Sequence, residues 1–362
     1  KRGRWSFANL PVLPPHFDLQ PIKKSIKKFE GLEKKIRSRS VTDIINACDA
    51  GREGELIFRY IIQATGTKKP IRRLWLQSMT KASIQKAFTA LRSDAEMKPL
   101  EAAARSRSEA DWLVGINGTR ALTAFNSKDG GFFLTTVGRV QTPTLAIVVA
   151  REEEITHFKP QNYWEVHATF GAQAGDYDSV WVDADFKKTK GQSAELKPER
   201  LWTAAEAQAI VAKCQGKLGI VTDHKRRATS APPALFDLTS LQREANGRFG
   251  FPAKMTLAIL QRLYERHKVL TYPRTDSRAL PEDYPETMKE TLSHLQKLEA
   301  YNAFAGQILM SGWVKGDNRR IFDNKKISDH FAIVPTGELP KDLEETEQKI
   351  YDLVVRRTMA AF

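Results

Sequence analysis

The sequence holds only two cysteines, Cys48 and Cys214, in 362 residues. Two thiols cannot build a disulfide framework or a Cys-rich zinc module, and their scarcity fits a reducing cytosol. Long apolar runs are also missing. None approaches the roughly 20 residues that a spanning helix needs, and no signal peptide is recognised at the start. A GxxxxGKS/T phosphate loop is absent, so nothing points to ATP hydrolysis. Neither internal repeats nor low-complexity tracts occur. Acidic residues are in short supply as well: 43 Asp and Glu stand against 57 Lys and Arg, for a net charge of +14. With 41% hydrophobic and 28% charged residues, the chain is neither disordered nor membrane-embedded. Its length predicts several packed units.

The positive charge is concentrated. Residues 1–40 carry 11 basic and 3 acidic groups, and residues 225–278 carry 11 basic and 4 acidic groups. The remaining chain is close to neutral. Such clustering suits a polyanion, nucleic acid first among them. The alternative is a solvated helix face, an even match for the first run. In the second run the charges alternate with aromatics and turns, which favours function. The chain opens abruptly at KRGRWSFANL and stops at YDLVVRRTMAAF within a helical pattern, so segments beyond both ends are expected.

The segment VTDIINACDAGREGELIFRYIIQ reads as strand, turn and helix, with Ile44, Ile45, Ala47 and Cys48 as a buried strand. IRRLWLQ (71–77) reads as a second strand, and Thr80 as the N-cap of a helix over 81–92. This alternation predicts α/β structure with a parallel sheet. Helical patterns follow over 100–126, 138–156 and 203–214. Residues 163–185 read as strands joined by turns, and KLGIVTDHKRR (217–227) as a strand leading into a basic stretch. From 236 to 309 the pattern is helical again, with Leu257, Leu260, Leu263 and Tyr264 on one face and Pro252 and Pro273 as punctuation.

Two places carry chemistry. Asp49 falls at the carboxyl end of a strand and Glu53 and Glu55 at the start of the next helix, at the sheet edge where α/β folds build sites. Hard oxygen donors there suit Mg²⁺; equally, acids at a helix N-terminus complement its dipole. The second place is LYERHKVLTYPRTDSRALP. A tyrosine beside an arginine in a basic region can attack a phosphodiester. Its ordinary pKa near 10 means that it needs help to lose a proton. Arg274 could give that help and stabilise charge on the phosphorus. The opposing reading is a buried Tyr272 whose hydroxyl is tied to Asp276, with Arg274 as an ion-pair partner.

Five blocks together resemble the type IA DNA topoisomerases, and are most similar to the bacterial topoisomerase III branch. They are DAGREGELIFR (49–59), ADWLVGINGTRALT (110–123), TVGRVQTPTLAIVVARE (136–152), LYERHKVLTYPRTDSRALP (263–281) and SDHFAIVPT (328–336). The match spans essentially the whole chain in the family's order, and it favours function at both places. The topoisomerase I branch shares these core blocks and stays open. The resemblance implies a multidomain α/β and α+β fold, in which a Toprim α/β domain, helical domains and a β-rich arch form a ring. Residues 1–94 would be the Toprim remainder, 95–155 and 341–362 the helical domain, 156–232 an incomplete arch, and 233–340 a mobile domain bearing the tyrosine.

By the same resemblance Tyr272 attacks one DNA strand and forms a 5′-phosphotyrosyl bond, without ATP. Arg274 and His330 approach the scissile phosphate. Asp49 and Glu53 belong to a Mg²⁺-binding acidic cluster, with Glu53 also catalytic. Gly138, Arg139 and Gln141 lie along a groove for single-stranded DNA, flanked by Arg107 and Asp111, and Asp276 joins the DNA contacts. The implied partner is DNA with unpaired stretches, in negatively supercoiled or catenated molecules. The resemblance also leaves room for a helicase or single-strand-binding protein as a further partner, and implies no membrane and a monomer in the bacterial cytoplasm, on the nucleoid.

Two departures stand out. The family's Asp-x-Asp-x-Glu pattern has Gly51 at its middle position, which puts metal affinity and stoichiometry in question. The Toprim strand with its Glu and a following Lys would lie upstream of residue 1. A catalytically silent single-stranded DNA-binding module is therefore the first rival reading. A tyrosine recombinase, linking to the 3′ phosphate, is the second.

Overall fold

The computed structural model describes residues 5–189 and 195–362. The chain divides into two compact units, one of residues 1–139 with 230–362 and one of 140–229. In chain order the elements are α1 (Ile26–Arg37), β1 (Ile44–Asn46), α2 (Arg52–Thr65), β2 (Ile71–Arg73), α3 (Lys81–Thr89), β3 (Arg92–Ser93), α4 (Asp94–Asn126), α5 (Gln141–Thr156), β4 (His167–Ala172), β5 (Gly175–Val180), α6 (Ala204–Cys214), α7 (Leu238–Phe249), α8 (Ala253–Glu265), α9 (Pro285–Leu295), α10 (Glu299–Met310) and α11 (Glu345–Ala361). Among the described residues, no helix is long and apolar enough to cross a membrane.

In the first unit β1 and β2 pair in parallel, Ile44 opposite Ile71, and β3 joins β2 antiparallel. The expected strand over 71–77 pairs only as far as Arg73. The parallel crossover is α2, which ends at Gly66 in the left-handed conformation, φ 62°, where a side chain would be strained. Thr80 caps α3 by accepting from Ser83 N at 3.2 Å. Ser93 and Glu96 form a capping box at the start of the 33-residue α4, satisfying two donors that the first turn leaves open.

The main core lies in the later half of this unit. Leu241, Leu260, Leu263, Met288, Leu292, Ala305, Ile350, Tyr351 and Val354, from α7 to α11, are buried together. On α8 the inward face is Ile259, Leu260 and Leu263, with Leu257 and Tyr264 only partly covered. The predicted helical stretch from 236 to 309 is interrupted over 266–284, where the chain passes through turns and irregular backbone that bridges to 321–336 at Leu270–Pro335 and Leu280–Phe322. The core around β1–β3 is polar instead: Glu55 is fully buried and Arg59 and Arg73 nearly so. Arg59 reaches Glu55 at 2.7 Å, Asp94 at 2.7 Å and Glu101 at 3.3 Å. Buried charges need this kind of multiple pairing.

The second unit holds α5, the antiparallel β4–β5 hairpin and α6. Phe170 stacks on Tyr177 across the hairpin, rings 5.5 Å apart. The strand expected over 217–227 is not formed. That stretch has no regular structure, with Leu218 and Ile220 open to solvent, because an apolar run becomes a strand only beside a backbone partner, and none among the described residues pairs with it.

Candidate active site

Residues 271–280 run extended beside 321–336. Thr271 N donates to Val334 O at 3.0 Å, Ala332 N to Ala279 O at 2.9 Å and Leu280 N to Ile321 O at 2.7 Å. Side chains of an extended chain alternate, and here the alternation sorts them by task. Thr271, Thr275 and Ser277 point inward and donate hydroxyls to the carbonyls of Ala332, His330 and Lys326. Tyr272, Arg274 and Asp276 are thereby turned outward, with Arg274 and Asp276 exposed. The same zipper carries His330, whose ring lies 4.1 Å from that of Tyr272. Tyr264 meets Tyr272 edge-on at 5.4 Å. Among the described residues no hydrogen bond joins Tyr272 to Asp276. Asp276 accepts from Ser328 Oγ at 3.1 Å instead, so the reading of a tied-down tyrosine is not supported.

Tyr272 faces a cavity of about 520 Å³ whose polar rim is Asp49, Asp329 and His330 and whose walls include Leu76, Leu270 and Phe331. His330 Nε2 is 3.7 Å from Asp49 Oδ2. Burial raises the Tyr272 pKa, and the Asp49 carboxylate raises it further, against a lowering by Arg274. Burial likewise lifts the Asp329 carboxyl; the positive charges of His330 and Arg52 oppose this, while Asp276 and Asp49 add to it.

The turn that presents Asp49 is fixed from within. Arg73 is 1% exposed. Its guanidinium donates to the carbonyls of Asn46 (3.1 Å), Cys48 (2.7 Å) and Asp49, and to Asn46 Oδ1 at 2.9 Å. Gly54 packs so closely that a Cβ there would lie 2.2 Å from the Asp49 carbonyl oxygen; only glycine admits that approach. Gly51 has a different reason. Its φ of −162° is open to any residue, yet a Cβ would meet the Asp329 carboxylate at 2.3–2.5 Å. The space of the missing middle acid is taken by an acid from the tyrosine-bearing segment.

Glu53 points elsewhere. It accepts from Arg107 at 2.6 Å, in a cleft of about 170 Å³ that also holds Arg52, Ser108, Asp111 and Arg139. Arg139 pairs with Asp111 at 3.3 Å. Gly138 precedes Arg139 in this unit, whereas Gln141 opens α5 in the second unit. The residues expected around the tyrosine are thus assembled as Asp49, Tyr272, Arg274, Asp276 and His330. Glu53, Arg107, Asp111 and Arg139 form a separate cleft. Among the described residues, no group of three or more acidic, histidine or cysteine side chains is arranged to hold a metal ion. Asp49, exposed beside the tyrosine cavity, fits a hard cation of the kind that leans on one or two protein oxygens and a substrate phosphate, whereas Glu53 is held by Arg107 in the other cleft.

Sequence reasoning missed Asp329 and Arg73. Asp329 sits beside His330 in a block already singled out, a signal that was available. Arg73 read as an ordinary strand residue, and only the fold turns it toward the acidic turn.

A solved structure of similar architecture supports the class of fold. Full-length topoisomerase I from Thermotoga maritima superposes with a TM-score of 0.55 over 94% of this chain and 51% of that one, at 23% identity. The fold is thus the multidomain, mixed α/β kind of the type IA topoisomerases. Residues 95–362 match the family described as DNA topoisomerase, and the chain belongs to that family. Relatives named DNA topoisomerase 3 are 41% identical in Bacillus licheniformis and 40% in Bacillus subtilis. Each aligns over 360 residues, 98% of this chain and 46% of the relative. The chain therefore spans about half the length of these relatives.

Proposed function

We propose that the chain carries the cleavage centre of an ATP-independent type IA topoisomerase of the topoisomerase III branch. The observation that supports this best is the placing of Tyr272 against His330 and across one cavity from Asp49. In this reading the Tyr272 phenolic oxygen attacks a backbone phosphorus of unpaired DNA. The phosphorus–tyrosine bond forms as the bond to the 3′ oxygen breaks. The phenolic proton is lost, and the departing 3′ oxygen takes one up. Resealing is the reverse, and the phosphotyrosine bond conserves the energy, so no nucleotide is consumed. Arg274, exposed on the same face, binds the phosphate and stabilises the charge that develops on it. The His330 ring lines the other side of Tyr272. Mg²⁺ held by Asp49, and by Glu53 once it leaves Arg107, would supply positive charge and offset the Asp49 charge that disfavours the phenolate.

Single-stranded DNA would follow Gly138, Arg139, Arg107 and Asp111 toward Tyr272, with Asp276 near the phosphate; Gln141 of the second unit is proposed as a further DNA contact. Substrates would be the unpaired stretches of negatively supercoiled or catenated DNA, opened by a helicase or held by a single-strand-binding protein. The protein would act as a monomer on the cytoplasmic nucleoid. The four-part division at 94/95, 155/156, 232/233 and 340/341 belongs to the same proposal. In it, segment 233–340 lifts Tyr272 away from Asp49 to open a gate.

End-labelled single-stranded oligonucleotides incubated with the chain and Mg²⁺ test the reading. A covalent adduct on the 5′ end of the break is expected. An adduct on the 3′ end would point to recombinase polarity, and DNA binding with no adduct would point to a silent module.

The raised pKa of Tyr272 gives a second expectation. The difference in phenolate absorbance between the chain and its Tyr272→Phe variant should appear only above the usual tyrosine range near 10. Replacing Asp49 with Asn removes a negative charge that opposes the phenolate, so this titration should move to lower pH. An unchanged titration, or movement to higher pH, would show that the Asp49 charge does not oppose the phenolate.

A further inference from the structure

Segments 40–94 and 233–340 meet at two places through polar groups. One is the site itself, where Asp329 lies over Gly51 and Gln77 Nε2 donates to Ser328 O at 3.1 Å. The other is Asp283, in the short connection between the extended tyrosine segment and α9. A single oxygen of its carboxylate accepts three hydroxyls: Ser78 at 3.1 Å, Thr80 at 2.6 Å and Ser83 at 2.6 Å.

We propose that Asp283 is a positioning residue, a latch that seats the body carrying Tyr272 and His330 over the acidic turn. This rests on the gated-cleavage reading above. The socket is preformed. Thr80 is the N-cap of α3, so its oxygen already accepts from Ser83 N while its hydroxyl proton goes to Asp283. The first turn of a helix also favours a carboxylate through its exposed N–H groups. Three hydroxyl bonds hold the Asp283 carboxyl below its ordinary pKa although burial pushes it up.

The latch is stiffly joined to the tyrosine. Leu280 and Tyr284, on either side of it, are 0% and 6% exposed, and Tyr284 packs against Phe331 with rings 5.2 Å apart. Phe331 follows His330 directly. A displacement at Asp283 therefore carries Tyr272 and His330 with it rather than being absorbed by a loose loop. The chemistry of the latch also suits repeated use. All four side chains are short and polar, and the adjoining groove is lined by Trp75, Lys86, Arg92 and Asn324, wide enough for water to replace each bond. Separation at this point uncovers groups that water satisfies, so the contact can release and re-form.

The test is a distance measurement on the full chain, with Cys48 and Cys214 replaced by Ser and spin labels placed at Lys86 on α3 and Lys289 on α9. Asp283→Ala is expected to raise the separated population roughly tenfold, as loss of charge-assisted bonds would. Asp283→Asn, which still accepts hydroxyls, should restore part of the closed population. The pair Ser78→Ala with Ser83→Ala should reproduce the alanine effect from the other side. Equal melting temperatures show that folding is not the cause. An unchanged distance distribution in Asp283→Ala overturns the latch. The distances are read without DNA, so a chain that forms no adduct would refute the cleavage reading and leave this result independent. With DNA, loss of the latch should slow resealing more than it weakens oligonucleotide binding; equal effects on both would contradict a positioning role.

Discussion

Tyr272→Phe is expected to abolish covalent capture of DNA, lowering adduct yield by at least about a thousandfold, as removal of a nucleophile does. Binding of single-stranded DNA should persist. The substitution deletes one oxygen and keeps the ring, so the packing on His330 at 4.1 Å and on Tyr264 at 5.4 Å survives. The backbone on either side is held by Thr271 and Thr275 through hydroxyls that the variant does not touch. A loss of adduct with unchanged melting therefore isolates the chemistry. Any other hydroxyl acting as nucleophile would leave an adduct in the variant, and mass mapping of the linked peptide would reveal it.

Gly51→Asp is the second. By pattern alone, this change restores an acid to the middle of the Asp49–Glu53 turn and should strengthen cation binding. The structure predicts the opposite. A side chain at 51 enters space held by the Asp329 carboxylate, 2.3–2.5 Å from the new Cβ. Overpacking of this kind costs about 1–3 kcal/mol, and two carboxylates in one site resist joint ionisation. The tyrosine segment would be pushed off the acidic turn, and adduct formation at fixed Mg²⁺ should fall by roughly tenfold or more. Combining Gly51→Asp with Asp329→Ala should recover most of that loss, since the two positions compete for one volume. If Gly51→Asp alone raised the yield, the contact between these residues would have no bearing on cleavage. A double-mutant cycle gives the coupling directly.

Much of the local structure was legible because it rests on local causes. Thr80 caps α3, the 203–214 pattern is a helix behind the capping box of Thr203 and Glu206, and a strand does form in the 44–48 run, but only over Ile44–Asn46 and with Asn46, not the apolar residues, buried. These follow from side chains acting within one or two turns. The 217–227 run shows where that logic stops, since a strand needs a distant partner that its own residues do not specify. The exact extent of β2 was likewise decided by pairing with β1 and β3, and the break in the helices at 266–284 by hydrogen bonds to the distant residues 321–336.

The sequence by itself determined the chemistry: a tyrosine beside an arginine, a histidine in a later block, an acidic turn after a strand, and a basic chain with no nucleotide loop. Their types and spacing are covalent facts. Only the tertiary structure decided which of them meet. The alternation of an extended segment, zipped by Thr271, Thr275 and Ser277, turns Tyr272, Arg274 and Asp276 to one side. The fold also sends Glu53 to Arg107 and brings Asp329 into the space beside Gly51. Contacts across so many intervening residues depend on how elements pack, and packing is a property of the folded chain rather than of any stretch within it.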